Sequence, residues 1–280
     1  MKINLGAGPN WYKDGWCVLD HKVKKKEKFK IPGDLNSIKI KKETCDLIFI
    51  SHTLEHIPHI QIQNVLTEIN RIMKKNSTIR ILVPNLEVIT KAYVKKDKIF
   101  FKKAIDEDHS IRTDLGLGGM LVNFIVSTGQ DTALLNRSLN KFIAGYAHLY
   151  AYDFEMMKIL LTKTGFKNIK KMKFCKSKIK DFNEPCHILG RSKKYSNLNN
   201  KFYKKNNLIH EYKNGKYNIN FKFSGFDKDT LTSLIIEAKK NKHIKINKSN
   251  DINFDRKNYN RYGFSLLHNK NFKKKLGKLK

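Results

Sequence analysis

A strand that stops in a glycine turn sets the terms for the fold. In Lys2-Ile-Asn-Leu-Gly-Ala-Gly-Pro9, Ile3 and Leu5 alternate with polar residues, and Gly6 and Gly8 follow at once. Alternation predicts a short strand. Glycine then lets the backbone turn sharply and come close to a ligand. A second apolar run, Trp16-Cys-Val-Leu19, ends in Asp20. A glycine turn after one strand and an acid at the tip of the next suit a nucleoside, with the turn beneath it and the carboxylate accepting from ribose hydroxyls. A tight turn and an ordinary strand-end Asp would leave the same trace, and the third glycine of the dinucleotide fingerprint is missing.

The next elements continue the pattern. Phe29-Lys-Ile-Pro-Gly-Asp-Leu35 reads as a third strand ending in an acid, Asp34. Cys45-Asp-Leu-Ile-Phe-Ile50 reads as a buried strand of a parallel sheet covered on both faces. Gln61 to Lys75 predicts a helix, with Ile62, Val65, Leu66, Ile69, Ile72 and Met73 on one face. Thr78 to Val83 is the next strand, stopped by Pro84, and a helix from about Leu86 to Lys95 follows. Strands alternating with helices predict an α/β, doubly wound, mostly parallel sheet. Ligands of such sheets sit beyond the carboxyl ends of the strands. Gly6, Gly8, Asp20, Asp34, Ser51, His52 and Pro84 all fall there.

Residues 98–150 break the alternation and read as an insertion over the site, a candidate acceptor-side lid. Asp153 to Thr164 predicts a helix capped by Asp153 and ended by Gly165, followed by strands at Asn168–Phe174 and Cys186–Gly190. Composition then shifts. Residues 193–280 hold 23 Lys and Arg against 6 Asp and Glu, a net +17, with 16 Asn. The expected division is a catalytic-type domain over 1–192 and a Lys/Asn-rich extension over 193–280, with one amphipathic helix at Asp229–Lys239 (Leu231, Leu234, Ile235).

The whole chain carries +32, which invites a nucleic-acid or anionic-surface reading. Only seven of the 57 basic residues are Arg, the residue that reads bases and phosphates bidentately. Weak, non-specific anionic binding is therefore the expectation, and a solvated Lys-rich surface is the plain alternative. The four cysteines (Cys17, Cys45, Cys175, Cys186) form no CxxC pair, which fits a reducing, cytoplasmic setting. No apolar run reaches membrane-spanning length, and no leader or transmembrane segment is expected. Oligomeric state is not legible.

The runs LGAGPNWYKDGWCVLD, GDL, CDLIFISHTLEHI, EINRIMKK and IRILVPNLE, in this order, resemble class I S-adenosylmethionine-dependent methyltransferases of the type 11 kind. The nearest likeness is to the small-molecule branch associated with surface polysaccharides and other cell-envelope glycoconjugates. The resemblance covers about 1–192. It implies a Rossmann-like, seven-stranded sheet and S-adenosyl-L-methionine as cofactor. By resemblance, Gly6 and Gly8 approach the methionine part, Asp20 holds the ribose, Asp34 accepts from the adenine amine and the Leu35 amide meets the ring. Ser51 and His52 would flank the sulfonium. Three departures suggest a more open site: too few residues for a helix between the first two strands, no third glycine, and Lys75-Asn-Ser77 where the family has Pro-Gly-Gly.

His52 and His148 are the candidate catalytic residues. In resembling proteins the stretch around His148 borders the acceptor pocket, and a base is useful when the acceptor is a hydroxyl. A buried, hydrogen-bonded histidine is the alternative for His148. His52 and His56 flank Glu55 in an HxxEH spacing, but the segment reads as a strand-end loop, with Glu55 and His56 packing it, so no metal is expected. The implied function is methyl transfer to a small acceptor, a sugar hydroxyl or glycoconjugate precursor in polysaccharide biosynthesis. RNA methylation with the basic tail as a clamp, and a non-catalytic nucleotide-binding module, stand as alternatives.

Overall fold

The computed structural model describes residues 1–8, 11, 13, 15–27, 29–107, 115–127, 148–183, 209–211, 217–219, 227 and 231–244. A seven-stranded sheet forms the body. Its parallel part comprises β1 (Lys2–Leu5), β2 (Trp16–Asp20), β3 (Lys30–Pro32), β4 (Cys45–Ser51) and β5 (Met73–Pro84). β6 (Phe166–Lys171) and β9 (Ser233–Lys240) complete it, and the spatial order is β3-β2-β1-β4-β5-β9-β6. β9 runs antiparallel between β5 and β6. Two short strands, β7 (Ile209–Glu211) and β8 (Tyr217–Ile219), pair in a separate hairpin. The expected fold class is thus observed: a Rossmann-like, mostly parallel sheet flanked by helices.

Period-two burial explains why the strands are apolar on both faces. Ile48, Ile50, Ile81, Val83, Leu234 and Ile236 enter the main core. Their neighbours Phe49, Leu82 and Ile235 point the other way, into a cluster with Trp16 and Phe182. Successive strand side chains alternate faces, so a sheet covered twice needs apolar residues at every position. α1 (Ile62–Ile72) lays Ile62, Val65, Leu66, Ile69 and Ile72 on the main face, and α5 (Phe154–Lys163) adds Met157, Leu160 and Leu161 to the same core. The Asp153 side chain accepts from the Met156 amide at 2.8 Å, the expected cap, and Gly165 takes a left-handed φ of 89°.

Three expectations are corrected. The segment read as an amphipathic helix, 229–239, holds all but the last residue of strand β9 (Ser233–Lys240). Leu231, Leu234 and Ile235 mimic helical spacing, but Leu234, Ile235, Ile236 and Ala238 are all buried, as on a strand between two packed faces. The boundary expected at 192 would therefore cut through the sheet, whose penultimate strand in space comes from beyond it. The helix expected to reach Lys75 ends at Ile72. Met73 turns extended and begins β5, whose register against β4 jumps from Cys45–Met73 to Leu47–Thr78 across a bulge with Asn76 at φ 62°. The strand expected at Cys186–Gly190 lies outside the described residues.

β9 is locked in by charge as well as by packing. Arg80 of β5 is fully buried; its guanidinium donates to Asp227 through two nitrogens and to Glu237 of β9 at 2.6 Å. The Cys175 amide also donates to Asp227, at 2.7 Å. A buried cation is tolerable only when paired and hydrogen-bonded in this way.

α2 (Leu86–Val94) follows β5, and the insertion contributes α3 (Lys98–Glu107) and α4 (Gly116–Val122), followed by a π-helical turn at Asn123–Ser127. Ile89, Ala92, Phe101, Ala104 and Phe124 join these into a small core of their own. Among the described residues, no helix is long and apolar enough to cross a membrane.

Candidate functional site

The carboxyl ends of β1, β2, β4 and β5 form one edge, and the site is built there. At Gly6 the chain takes a φ of 72° and its amide donates to the Leu19 carbonyl at 2.8 Å. A Cβ at Gly6 would lie 2.4 Å from Thr53 Cγ2, so the position has neither the conformation nor the room for a side chain. Gly8, at φ 79°, would meet nothing within 4 Å with a Cβ. It is the backbone conformation, not crowding, that asks for glycine at that position.

Asp20 is nearly buried, and each of its oxygens has a main-chain donor. Oδ2 accepts from the Gly8 amide at 2.8 Å and Oδ1 from the Lys22 amide at 2.8 Å. The carboxylate thus ties the glycine turn of β1 to the end of β2. A carboxylate has about four lone-pair sites, so acceptor capacity remains for a ligand's hydroxyls. Asp34 is exposed past the end of β3, where Oδ1 accepts from the Asn36 amide at 2.8 Å in an Asx turn. Leu35 puts its side chain in the main core.

β4 ends in Ser51, whose Oγ is buried without a hydrogen-bond partner. His52 follows in the left-handed region at φ 47°, unusual for a residue with a Cβ. Its Nε2 lies 2.9 Å from Ser233 Oγ at the start of β9, and its Nδ1 lies 3.1 Å from Glu55 Oε1. Glu55 sits fully buried in the 3₁₀ turn Leu54–His56. Although His52 is at hydrogen-bond distance, its alignment is poor, and neither Glu55 oxygen has a well-aligned donor.

His148 arrives from the far end of the insertion. The Leu149 and Tyr150 amides donate to the Glu55 carbonyl at 2.7 and 3.2 Å, which fastens this segment to the 3₁₀ turn. His148 Nε2 then lies 3.9 Å from Glu55 Oε1, its Nδ1 lies 3.1 Å from the Phe124 carbonyl, and its ring packs edge-on to His56 with centroids 4.9 Å apart. Burial pushes His148 down to about 4, so it is neutral at pH 7. Burial alone would raise Glu55, but the His52 contact and the neighbouring histidines outweigh it and hold the carboxyl at about 2. Burial, with Glu55 adding to it, pushes the nearby Tyr152 hydroxyl up from its ordinary value.

Gly6, Gly8, Asp20, Ser51 and His52 therefore share the predicted edge, and His148 meets the Glu55 turn. Asp34 stands apart on an exposed turn. Sequence reasoning missed Thr53, which closes over Gly6, and Ser233, because its strand was read as part of a helix. It took Glu55 for loop packing. The one available signal was an acid set between apolar residues, Leu54-Glu-His-Ile57, with one histidine beside it and another, His52, three residues before it.

Residues 17–81 match a family model described as a methyltransferase domain. No curated protein matches the chain. Among solved structures, a SAM-dependent methyltransferase from Archaeoglobus fulgidus is 16% identical, with 85% of each chain covered and a TM-score of 0.38. An S-adenosylmethionine-dependent methyltransferase from Mesorhizobium loti is 8% identical, with 85% of this chain and 90% of that chain covered and a TM-score of 0.41. The residues present fit the cofactor: Ser51 Oγ and Asn4 Oδ1 are buried polar atoms without partners near a glycine turn and a carboxylate, a set suited to a ligand rich in hydroxyl and amine groups. Residues 17–81 thus match a methyltransferase domain, and the residues at the sheet edge suit the S-adenosylmethionine that the sequence resemblance implies.

Proposed function

We propose that the chain methylates a hydroxyl of a small acceptor, a sugar or a cell-envelope glycoconjugate precursor, with His52 as general base. The observation that carries this reading is the His52 ring, held between Glu55 and Ser233 at the end of β4. When bound, S-adenosylmethionine supplies a methyl group made electrophilic by its sulfonium. The Gly6–Gly8 turn would run beneath the methionine part, and Asp20 would accept from the ribose hydroxyls. Asp34 would take the adenine amine and the Leu35 amide the ring, with Ser51 beside the sulfur.

Displacement at such a carbon asks the protein chiefly to align the acceptor and exclude water. A hydroxyl acceptor also has a proton to lose. Glu55 favours the His52 tautomer that carries its proton on Nδ1, which leaves Nε2 basic. Nε2 now faces the Ser233 hydroxyl, which an acceptor hydroxyl would replace or reach through. His148 is the second candidate; its Nε2 faces the Glu55 carboxylate. The resemblance to the polysaccharide-associated branch supports the acceptor class.

The test uses radiolabelled S-adenosylmethionine with nucleotide sugars, lipid-linked oligosaccharides and tRNA. Label should enter the saccharides. His52→Asn, chosen because Asn tolerates the left-handed backbone, should lower kcat by about 10²–10⁴-fold with cofactor affinity within a few-fold of wild type. Label entering tRNA alone would overturn the small-acceptor reading.

A further inference from the structure

The Glu55 turn holds more than an orienting acid. His148 Nδ1 lies 3.1 Å from the Phe124 carbonyl, an acceptor only, so Nδ1 carries the proton and donates it. The other ring nitrogen, Nε2, faces Glu55 Oε1 at 3.9 Å. Among the described residues, no Lys or Arg pairs with Glu55, and its fully buried carboxylate lacks an aligned hydrogen bond. Something positive belongs there. The nearby His56 supplies a third atom: one oxygen or nitrogen each from Glu55, His56 and His148 lie within 4.8 Å of one another.

We propose that Glu55, His56 and His148 bind a divalent transition-metal ion of the zinc kind. The donor set, two imidazoles and a carboxylate, is one that zinc takes, with metal–ligand distances of about 2.0–2.2 Å. Ligand atoms of such a site lie roughly 3.4 Å from one another, so atoms up to 4.8 Å apart need to close by about 1.4 Å to reach it. The His148–Phe124 bond has the pattern of an outer shell: a ligating histidine usually donates its other N–H to a carbonyl or carboxylate, which fixes the ring and its tautomer. The Glu55 carbonyl is also engaged by the Leu149 and Tyr150 amides, so the turn that carries two ligands is fastened to the segment that carries the third. The HxxEH spacing alone suggested His52 and His56 as the pair, but His52 is taken by Ser233, and the second imidazole comes from far along the chain. Three protein ligands leave one position open. On the methyl-transfer reading above, on which this last point rests, that position would take the acceptor hydroxyl and make it more acidic.

The test is metal binding by the full-length chain, made without a histidine tag and stripped with chelator. Zn²⁺ titration should give one equivalent with a Kd below about 1 μM. Co²⁺ should give the intense visible bands of a four-coordinate site, abolished by competing Zn²⁺. Glu55→Gln and His148→Ala should each weaken binding by at least about 100-fold, and His59→Ala, an exposed histidine outside the cluster, should not. Should either cluster variant fail to fold, X-ray absorption of the wild-type zinc form still decides: nitrogen and oxygen neighbours only are expected, and a sulfur neighbour would overturn the site. No binding, or binding indifferent to Glu55 and His148, would overturn it too. Titration of S-adenosylmethionine into the chelated protein is read separately. Heat there without metal binding sinks the ion and spares the methyltransferase reading; metal binding without cofactor heat does the reverse.

Discussion

At the scale of single residues, the glycine turn is the part of the site most open to a direct test. Gly6 combines a left-handed φ of 72° with a Cβ position 2.4 Å from Thr53 Cγ2. Gly6→Ala should cost at least about 2 kcal/mol, roughly 1–2 from the backbone and the rest from the clash. Adding Thr53→Ala removes the two nearest atoms and should restore the packing part while leaving the backbone part, a split that a double-mutant cycle in urea would measure. Recovery of full stability would mean that the left-handed backbone costs nothing. The placement of Gly6, Gly8, Asp20, Ser51 and His52 on one edge was legible because apolar runs mark where the strands of an α/β sheet end. Thr53 was not legible, since its role is set by how close two loop backbones pass. Glu55 was not legible either: a buried acid and a loop-packing acid look alike until the surrounding histidines are brought together in space. The second role of Asp20, as acceptor for the Gly8 and Lys22 amides, also belongs to geometry alone.

At the scale of elements, β9 carries the main lesson. Ser-Leu-Ile-Ile-Glu-Ala-Lys-Lys sits between β5 and β6, and its apolar residues serve both faces of the sheet. A short run buried on both faces has no period to distinguish strand from helix. Its neighbours in sequence are rich in Lys and Asn, which pulled the reading toward an extension. β1 to β5 were legible because alternating or continuous apolar runs were bounded by Gly, Pro and acids. Buried Arg80 with Asp227 and Glu237 pairs residues distant in sequence, which no local pattern reports. The consequence is sharp for truncation. A chain ending at 244 should fold and keep cofactor affinity within a few-fold. A chain ending at 192 lacks β9 and the partners of Arg80, leaves a buried cation uncompensated, and should be insoluble or unfolded. Thermal melting and calorimetry on both would check it; a folded 1–192 chain would mean that β9 is dispensable to the sheet.

At the scale of the whole molecule, the net charge of +32 governs association more than fold. Because the charge is mostly Lys, binding to tRNA, random RNA and duplex DNA should be weak and alike, and should fall steeply as salt rises past the range where screening acts over about 8 Å. Filter binding across a salt series reads this, and a salt-resistant preference for one RNA would promote an RNA acceptor. The central claim is narrower: the edge formed by Gly6, Gly8, Asp20 and Ser51 holds S-adenosylmethionine. Isothermal titration into the full-length chain in EDTA tests it most directly. One cofactor per chain in the micromolar range is expected, weakened about tenfold or more in Asp20→Ala through the loss of charge-assisted hydrogen bonds worth roughly 1.5–3 kcal/mol. No heat with S-adenosylmethionine, or heat with NAD in its place, would contradict it.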